Sequence, residues 1–302
     1  MRVSTLQILN SSMNGITNQQ EKISKTQKQL MTGERFDSPS EDPIAAAQAL
    51  ELDKSINLID QYNDNISNLE TRMAYEETAI DQAEGLLLQI RNLVLQANSG
   101  ILNESDKKTL AREIRQYNNG IIDIANGKDS NGEYLFSGFK TQNQPFEFDG
   151  INYNYNGDRG TRELQVGAAT KIKGSDSGFE LFITKDTSGN FDNVFNMIEN
   201  FAQSLENDTY TQSDVDNTLT DLGNIHENFL ATRSSIGGRL NSLEAQKSVN
   251  SSLQVKLQET FAETKELDYA EAISRLSGEM VALEAAQQVF VKIQGLSLFN
   301  KM

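Results

Sequence analysis

Cysteine and tryptophan are absent from the 302 residues, histidine occurs once and proline three times. Without a thiol the chain can form no disulfide, no thiolate nucleophile and no thiolate metal site. With no indole and only 7% aromatic residues, it is short of the wide side chains that fill a broad globular interior. Abundant Gln, Asn, Ser and Leu with so little proline point instead to long helices around thin cores. No run of eighteen apolar residues is present to cross a bilayer, and the first residues lack a basic segment followed by an apolar core and a small-residue cleavage site. Neither membrane insertion nor a secretory leader is expected. At this length the chain can build two or more compact units, or one elongated one. Positive charge is scarce too: 27 Lys and Arg stand against 43 Asp and Glu, a formal net charge of −16. That balance argues against nucleic acid as a partner, because phosphates must be neutralised by cations.

The charge is unevenly placed. Residues 1–40 carry five Lys/Arg against three Asp/Glu and residues 263–302 carry four against six, so the two ends sum to zero and the whole −16 lies between them. Arg2 is the only charged side chain in the first twenty residues, and Lys292 the only one in residues 285–300. On these ends apolar residues recur at alternating spacings of three and four. Near the start they are Leu6, Leu9, Met13, Ile16, Gln20, Ile23, Gln27 and Leu30. Near the end they are Tyr269, Ile273, Leu276, Met280, Leu283, Gln287 and Phe290, with Ile293 and Leu296 beyond. Such spacing lays each set along one stripe of a helix with a coiled-coil repeat. The flanks of the stripes are uncharged, so neither helix has a side suited to open water. Two arrangements would cover them: a hairpin that ties the two ends of one chain together, or burial between copies. Gln20, Gln27 and Gln287 then fall at seam positions, where one use of a polar residue is to set register and partner choice.

Between the ends the pattern is mostly helical. The first helix, over residues 4–32, is expected to stop at Gly33. Residues 34–43 hold two of the three prolines, and Asp42 before Pro43 has the form of an N-cap followed by proline at the first helical position. Leu52, Ile59, Ile66, Met73, Ile80, Leu87 and Val94 then fall seven apart, with Tyr62, Leu69, Ala83, Ile90 and Ala97 three further on. A helix over residues 42–98, at about 1.5 Å per residue, would be on the order of 85 Å long, which calls for a rod. Ser99 and Gly100 end it, and Asn103 or Ser105 can cap a second helix with Leu110, Ile114, Tyr117, Ile121 and Ile124 on one face. Residues 134–184 are rich in Gly, Asn and Asp. Phe146-Glu147-Phe148 and Ile151 to Tyr155 alternate around Asp149-Gly150 as a hairpin, and residues 163–166 and 179–184 read as further strands. Helical spacing returns with Phe191, Phe195, Ile198 and Phe201, and again from Val215. It then runs on without proline, loosened at Gly237-Gly238 and broken near residues 264–268.

The fold class expected is mainly α and elongated: N- and C-terminal helices pair in a coiled-coil or helical-bundle rod, with a small β-rich insertion in mid-chain. The division expected is residues 1–41 with 265–302 as a terminal assembly segment, 42–133 with 188–264 as a helical rod, and 134–187 as the insertion.

Residues that could carry chemistry are few. His226 lies between Leu222 and Phe229 at helical spacing, which fits half-burial at a helix seam and no catalytic role. Asp129, Asn131 and Glu133 around Gly132 place the glycine too early for a calcium loop and supply no final ligand, so a turn is expected. Carboxylate pairs such as Glu76-Glu77 point in different directions on a helix and read as a solvated face. No phosphate-binding glycine loop, nucleophile elbow or paired-histidine zinc motif occurs. No catalytic, cofactor or metal residue is assigned.

Residues 1–50, from MRVSTLQILN to EDPIAAAQAL, resemble the opening of the bacterial flagellin family. Asn131-Gly132-Glu133-Tyr134-Leu135-Phe136-Ser137-Gly138 is similar to the family's exit from its N-terminal helices, though flagellins tend to have a leucine pair and Asp-Gly there. Residues 233–244 (RSSIGGRLNSLE) and 267–300 resemble the family's C-terminal arm. The resemblance covers roughly the first 138 and last 75 residues and leaves the β insertion unmatched. It implies that the terminal helices form the inner wall of a tubular assembly, that the neighbouring helices form an outer rod, and that the insertion faces outward. It implies secretion through the flagellar type III apparatus after holding by a cytoplasmic export chaperone. The partners implied are other copies in a ring, hook-associated protein 1 and flagellin, with no cofactor. The seventeen stripe residues from Leu6 to Leu30 and from Tyr269 to Leu296 would then form the assembly interface. Two other readings remain: a minor flagellin that polymerises with itself, and an adhesin or hydrolase carried by residues 134–187.

Overall fold

The computed structural model describes residues 2–98, 102–185, 189 and 191–299; for residues 2–6 and 295–299 it describes the helical backbone alone. Four long helices dominate: α1 (Arg2–Thr32), α2 (Pro43–Ala97), α6 (Gln212–Lys265) and α7 (Tyr269–Phe299). Between α2 and α6 lie α3 (Glu104–Ala125), the short α4 (Gly178–Phe182), α5 (Val194–Glu206) and six three-residue strands. The helix ends follow local chemistry. Gly33, at φ 74°, lets the chain turn out of α1 while its N–H still reaches Gln29 O at 2.8 Å. Asp42 Oδ1 accepts the Ala45 N–H at 3.0 Å ahead of Pro43, and Asn103 forms a reciprocal capping box with Asp106. Asp268 Oδ1 accepts the N–H groups of Ala270 and Glu271 to open α7 after a three-residue break, where the weakened spacing places one. The Gly237-Gly238 pair does not interrupt α6.

The chain forms two compact units, residues 1–58 with 252–302 and residues 59–251. In the first, α1 packs on α7, and a small apolar group of Phe36, Ala45 and Ala49 is joined by Phe261. Its two connections are tied together, because Arg35 N–H reaches Lys265 O at 2.8 Å and Leu267 N–H reaches Gly33 O at 2.9 Å.

The second unit is organised by α2. Ile66, Leu69, Met73, Ile80, Ala83, Leu87, Ile90 and Val94 are all buried, as their seven-residue spacing predicts, and share one core with α3, α5, the earlier part of α6 and the β region. The described residues of 134–185 are therefore not a separate packing unit. Phe146, Phe182 and Phe195 meet at 4.8 to 5.6 Å, and Phe182 reaches Phe229 of α6 at 5.4 Å. Edge-to-face packing of this kind adds to the burial of large rings.

The strands pair antiparallel: β1 (Phe146–Phe148) with β2 (Tyr153–Tyr155), β3 (Glu163–Gln165) with β4 (Lys171–Lys173), and β5 (Ile183–Lys185) with β6 (Phe191–Asn193). Several details differ from the sequence expectation. The first hairpin does not turn on Asp149-Gly150 alone. Asp149 Oδ1 accepts the N–H groups of Ile151 and Asn152, which draws both into a four-residue loop and shortens the strand. Residues 179–182 are helical, not extended, because Ser177 caps them through the Phe179 N–H. Phe191 begins a strand and not a helix; the helix starts at Val194, where Asn193 accepts the Asn196 N–H. Three-residue strands contain too little alternation to be told from loop in sequence.

Two substitutions follow from this packing. Phe182→Ala, deleting a fully buried ring that touches four others, is expected to cost about 3–5 kcal/mol, read as a lowered urea midpoint, whereas Phe191→Ala, at an exposed ring, should shift it little. Gly238→Ala, where a Cβ would meet nothing within 4 Å, should raise stability by about 0.5–1 kcal/mol.

Candidate assembly surface

The two terminal helices run antiparallel. Gly33 lies against Tyr269, Arg275 Nη2 donates to Gln29 Oε1 at 2.8 Å, and Thr26 Oγ1 donates to Glu279 Oε2 at 2.9 Å. Gln19 Nε2 also donates to Glu279 O at 3.0 Å. On α1 the side chains turned inward are Leu9, Ser12, Ile16, Gln19, Ile23, Thr26 and Leu30. On α7 they are Ala272, Leu276, Glu279, Leu283, Ala286, Phe290 and Ile293. Each set keeps the three-and-four alternation, but only half of it is the stripe that apolar spacing selects. Leu9, Ile16, Ile23, Leu30, Leu276, Leu283, Phe290 and Ile293 are shared between the two.

Met13, Gln20, Gln27, Tyr269, Ile273, Met280 and Gln287 lie outside the pair and are exposed. The expectation that Gln20, Gln27 and Gln287 set register from within the seam is corrected: Ser12, Gln19, Thr26 and Glu279 occupy it. The physical reason is size. Small residues such as Ala272, Ala286 and Ser12 let two helices approach, while a larger apolar neighbour one position away scores higher on hydrophobicity alone. Leu6 and Leu296 lie outside the residues whose side chains are described.

The outward half of the stripe is apolar all the same. Ile273 and Met280 are 58% and 56% exposed, with Val281 at 65% beside them. Together with Ile23, Gln27, Leu276 and Leu283 they line an open groove of about 640 Å³. Val289 and Val291 extend the exposed apolar surface, and the spacing argument misses all three valines; the run of residues 285–300, charged only at Lys292, is the signal that points to the last two. The groove is lined mainly by aliphatic side chains, so burial against a partner is the chemistry it offers. Side chains of this size contribute about 1.5–3 kcal/mol each when fully covered.

Elsewhere the charged groups are structural. His226 is half-buried, with Nε2 2.9 Å from Glu84 Oε1, while Arg233 Nη1 donates to Glu84 Oε2 at 2.7 Å. Burial works against ionisation of Glu84, but the hydrogen bonds from His226 and Arg233 outweigh it and hold the carboxyl below its usual range. Asp129 forms the expected turn, accepting the N–H groups of Asn131 and Glu133, and its other oxygen accepts from Arg72 Nη1 at 3.1 Å. Among the described residues no group of three or more His, Cys, Asp or Glu could hold a metal, and no helix is long and apolar enough to cross a membrane.

The pair Glu76-Glu77 is a further correction. Glu77 is exposed, but Glu76 is fully buried beneath residues 174–177. Burial, reinforced by the nearby Asp176 carboxylate, pushes its carboxyl up to about 8. The run Tyr134 to Gly138 serves as an anchor. Leu135 O accepts from Arg72, Phe136 O accepts from Tyr155 OH and from the Gly178 N–H, and Gly138, at φ 70°, turns against Asp158.

With this geometry in view, the profile of the bacterial flagellin N-terminal helical region matches residues 3–141. Terminal helices packed on each other, in a chain whose other long helices carry a mid-chain β region, define a flagellin-type protein of the bacterial flagellum. Flagellar hook-associated protein 3 of Escherichia coli (strain K12) is 30% identical over 99% of either chain, and that of Salmonella typhimurium (strain LT2) is 28% identical over the same share. A solved structure of a Vibrio parahaemolyticus protein assigned as a flagellar hook-associated protein is 27% identical, superposes with a TM-score of 0.68, and covers 75% of this chain and 100% of its own. The chain belongs to the flagellar hook-associated protein 3 family.

The two halves of the stripe separate in experiment. Leu276→Ser, inside the helix pair, should speed amide exchange across α7 of the isolated chain by about tenfold or more, the equivalent of at least 1.4 kcal/mol. Met280→Ser, one turn along on the outward half, should leave it unchanged.

Proposed function

We propose that this protein is the structural adaptor of the hook–filament junction, carried on the flagellum and free of enzymatic activity. The observation that carries the proposal is the 30% identity, along essentially the whole of both chains, to Escherichia coli flagellar hook-associated protein 3. In this reading copies of the chain form a ring that meets hook-associated protein 1 on one side and flagellin on the other. A cytoplasmic chaperone holds the chain before the flagellar type III apparatus exports it. The outward residues Met13, Gln20, Gln27, Tyr269, Ile273, Met280 and Gln287 make the contacts between copies, with Leu6 and Leu296 continuing the stripe. Residues 134–187 face away from the axis.

The physical support is the mismatch on the terminal helices. Each spends its small residues and half of its apolar stripe on the other, leaving an apolar surface with little charge that a second copy can cover. Covering it adds free energy only in the assembled state, so the contacts order copies without fixing the fold of each one.

Deleting the gene from motile cells should leave hooks in place while flagellin is shed into the medium. A complementing copy with Ile273, Met280 and Val281 all changed to Ser should fail to restore filaments, although the purified variant keeps the helical circular dichroism of the parent. Filaments that remain attached after deletion would overturn the proposal. Purified subunits that grow alone into long filaments would select a minor flagellin instead.

A further inference from the structure

Glu76 is the one charged residue on the seven-residue repeat of α2 between Ile59 and Ala97. Its neighbours on that stripe, Met73 and Ile80, are completely buried, and so is Glu76. Neither carboxyl oxygen has a hydrogen-bond partner. Arg72 Nε, itself buried and without a hydrogen-bond partner, lies 3.5 Å from Oε1, while the rest of the guanidinium is engaged elsewhere, with Nη1 donating to Asp129 and Nη2 to Leu135 O, each at 3.1 Å. From α6, Arg239 Nη1 donates to Lys173 O at 3.1 Å and Nη2 pairs with Asp176. Asp176 also takes Lys173 Nζ at 3.1 Å. The charged groups facing Glu76 are therefore Arg72 on its own helix, with Asp129 and Glu133 behind it from the turn after α3, Arg239 from α6, and Asp176 with Lys173 from the segment after β4. Every cation in that set already has another acceptor, and the nearest anion, Asp176, is itself buried.

Such a site favours a neutral carboxylic acid over a carboxylate, because burial and the Asp176 carboxylate outweigh the help that Arg72, Arg239 and the Asp176 N–H give the charged form. Relief can come from one side only. From Ile66 to Ala97 α2 is held by the apolar stripe, whereas residues 174–177 are held by polar contacts: Gly174 N–H on Arg162 O, Arg162 N–H on Ser175 Oγ, Asp176 on Arg239, and Ser177 Oγ–H on Asp158 O. We propose that Glu76 is a proton-dependent latch: while its carboxyl is neutral, residues 173–177 stay seated on α2 and α6, and loss of the proton unseats them.

The direction in pH follows from linkage. In the seated state the carboxyl is pushed up to about 8, and exposed to water it returns toward 4.5, ordinary for a glutamate. The seated state is therefore fully favoured below the lower value and loses ground as pH rises through the interval, by about tenfold per pH unit for one proton, levelling off above the upper value. The test is amide exchange of Gly174 and Gly178 in the full-length chain, corrected for the intrinsic rise of exchange with pH. In the parent protein, protection should fall about tenfold per pH unit across that window and then level. In Glu76→Gln it should not vary with pH. In Asp176→Asn, which removes the opposing carboxylate, the levelling should move to lower pH. Identical profiles for the parent and Glu76→Gln would overturn the latch. If Glu76→Gln does not fold, the carboxyl carbon shift of Glu76 in the parent decides: titration in the ordinary glutamate range overturns the proposal, and titration near 8 supports it.

Discussion

Two helices packed side by side can each bury one stripe, and a stripe is narrower than the apolar surface that α1 and α7 carry. This constraint governs the terminal part of the molecule. The seam is filled by Leu9, Ile16, Ile23 and Leu30 against Leu276, Leu283, Phe290 and Ile293, with small or hydrogen-bonded residues between them. Glu279 in that seam accepts from Thr26 on its carboxylate and from Gln19 on its backbone carbonyl, so the polar layer adds hydrogen bonds across the pair. What remains outside, Met13, Ile273, Met280 and the valines of α7, is more than half exposed among the described residues. A surface of this kind suits a subunit that is stable enough to persist alone and gains the rest of its burial from neighbours.

The unit of residues 59–251 solves a different problem. Its long helices would give a thin core by themselves, and the aromatic rings that the chain possesses are concentrated where the β region meets α5 and α6. Phe146, Phe182, Phe195 and Phe229 thicken the interior at that point. The anchor at Leu135 to Gly138 joins the same region to α2 through Arg72. The single break in the apolar stripe of α2, Glu76, falls beneath the segment that closes over this core. A buried acid there weakens the fold at high pH but ties the seating of the segment to a proton, a dependence that an apolar residue in its place would lack.

The matched profile stops at residue 141, close to where helical periodicity gives way to three-residue strands. The strands contribute little surface to the core, apart from their rings, so the sequence between those rings is under weak physical constraint.

Helix existence, the caps at Gly33, Asp42 and Asn103, the break before Tyr269 and the buried stripe of α2 were legible in the sequence, because each depends on neighbours within one or two turns. The terminal helices were legible as a charge-poor pair, and the register between them was not. Whether Met13 or Ser12 faces inward is decided by how closely Ala272 and Ala286 let the helices approach, a property of the two surfaces together. The same holds for Glu76 beside Glu77: periodicity places the first on the buried stripe, but only the segment folded over it from a hundred residues away turns that position into an interior. Sequence by itself determined the elements and their polarity; tertiary structure decided which faces meet, since burial belongs to pairs of surfaces and not to either one alone.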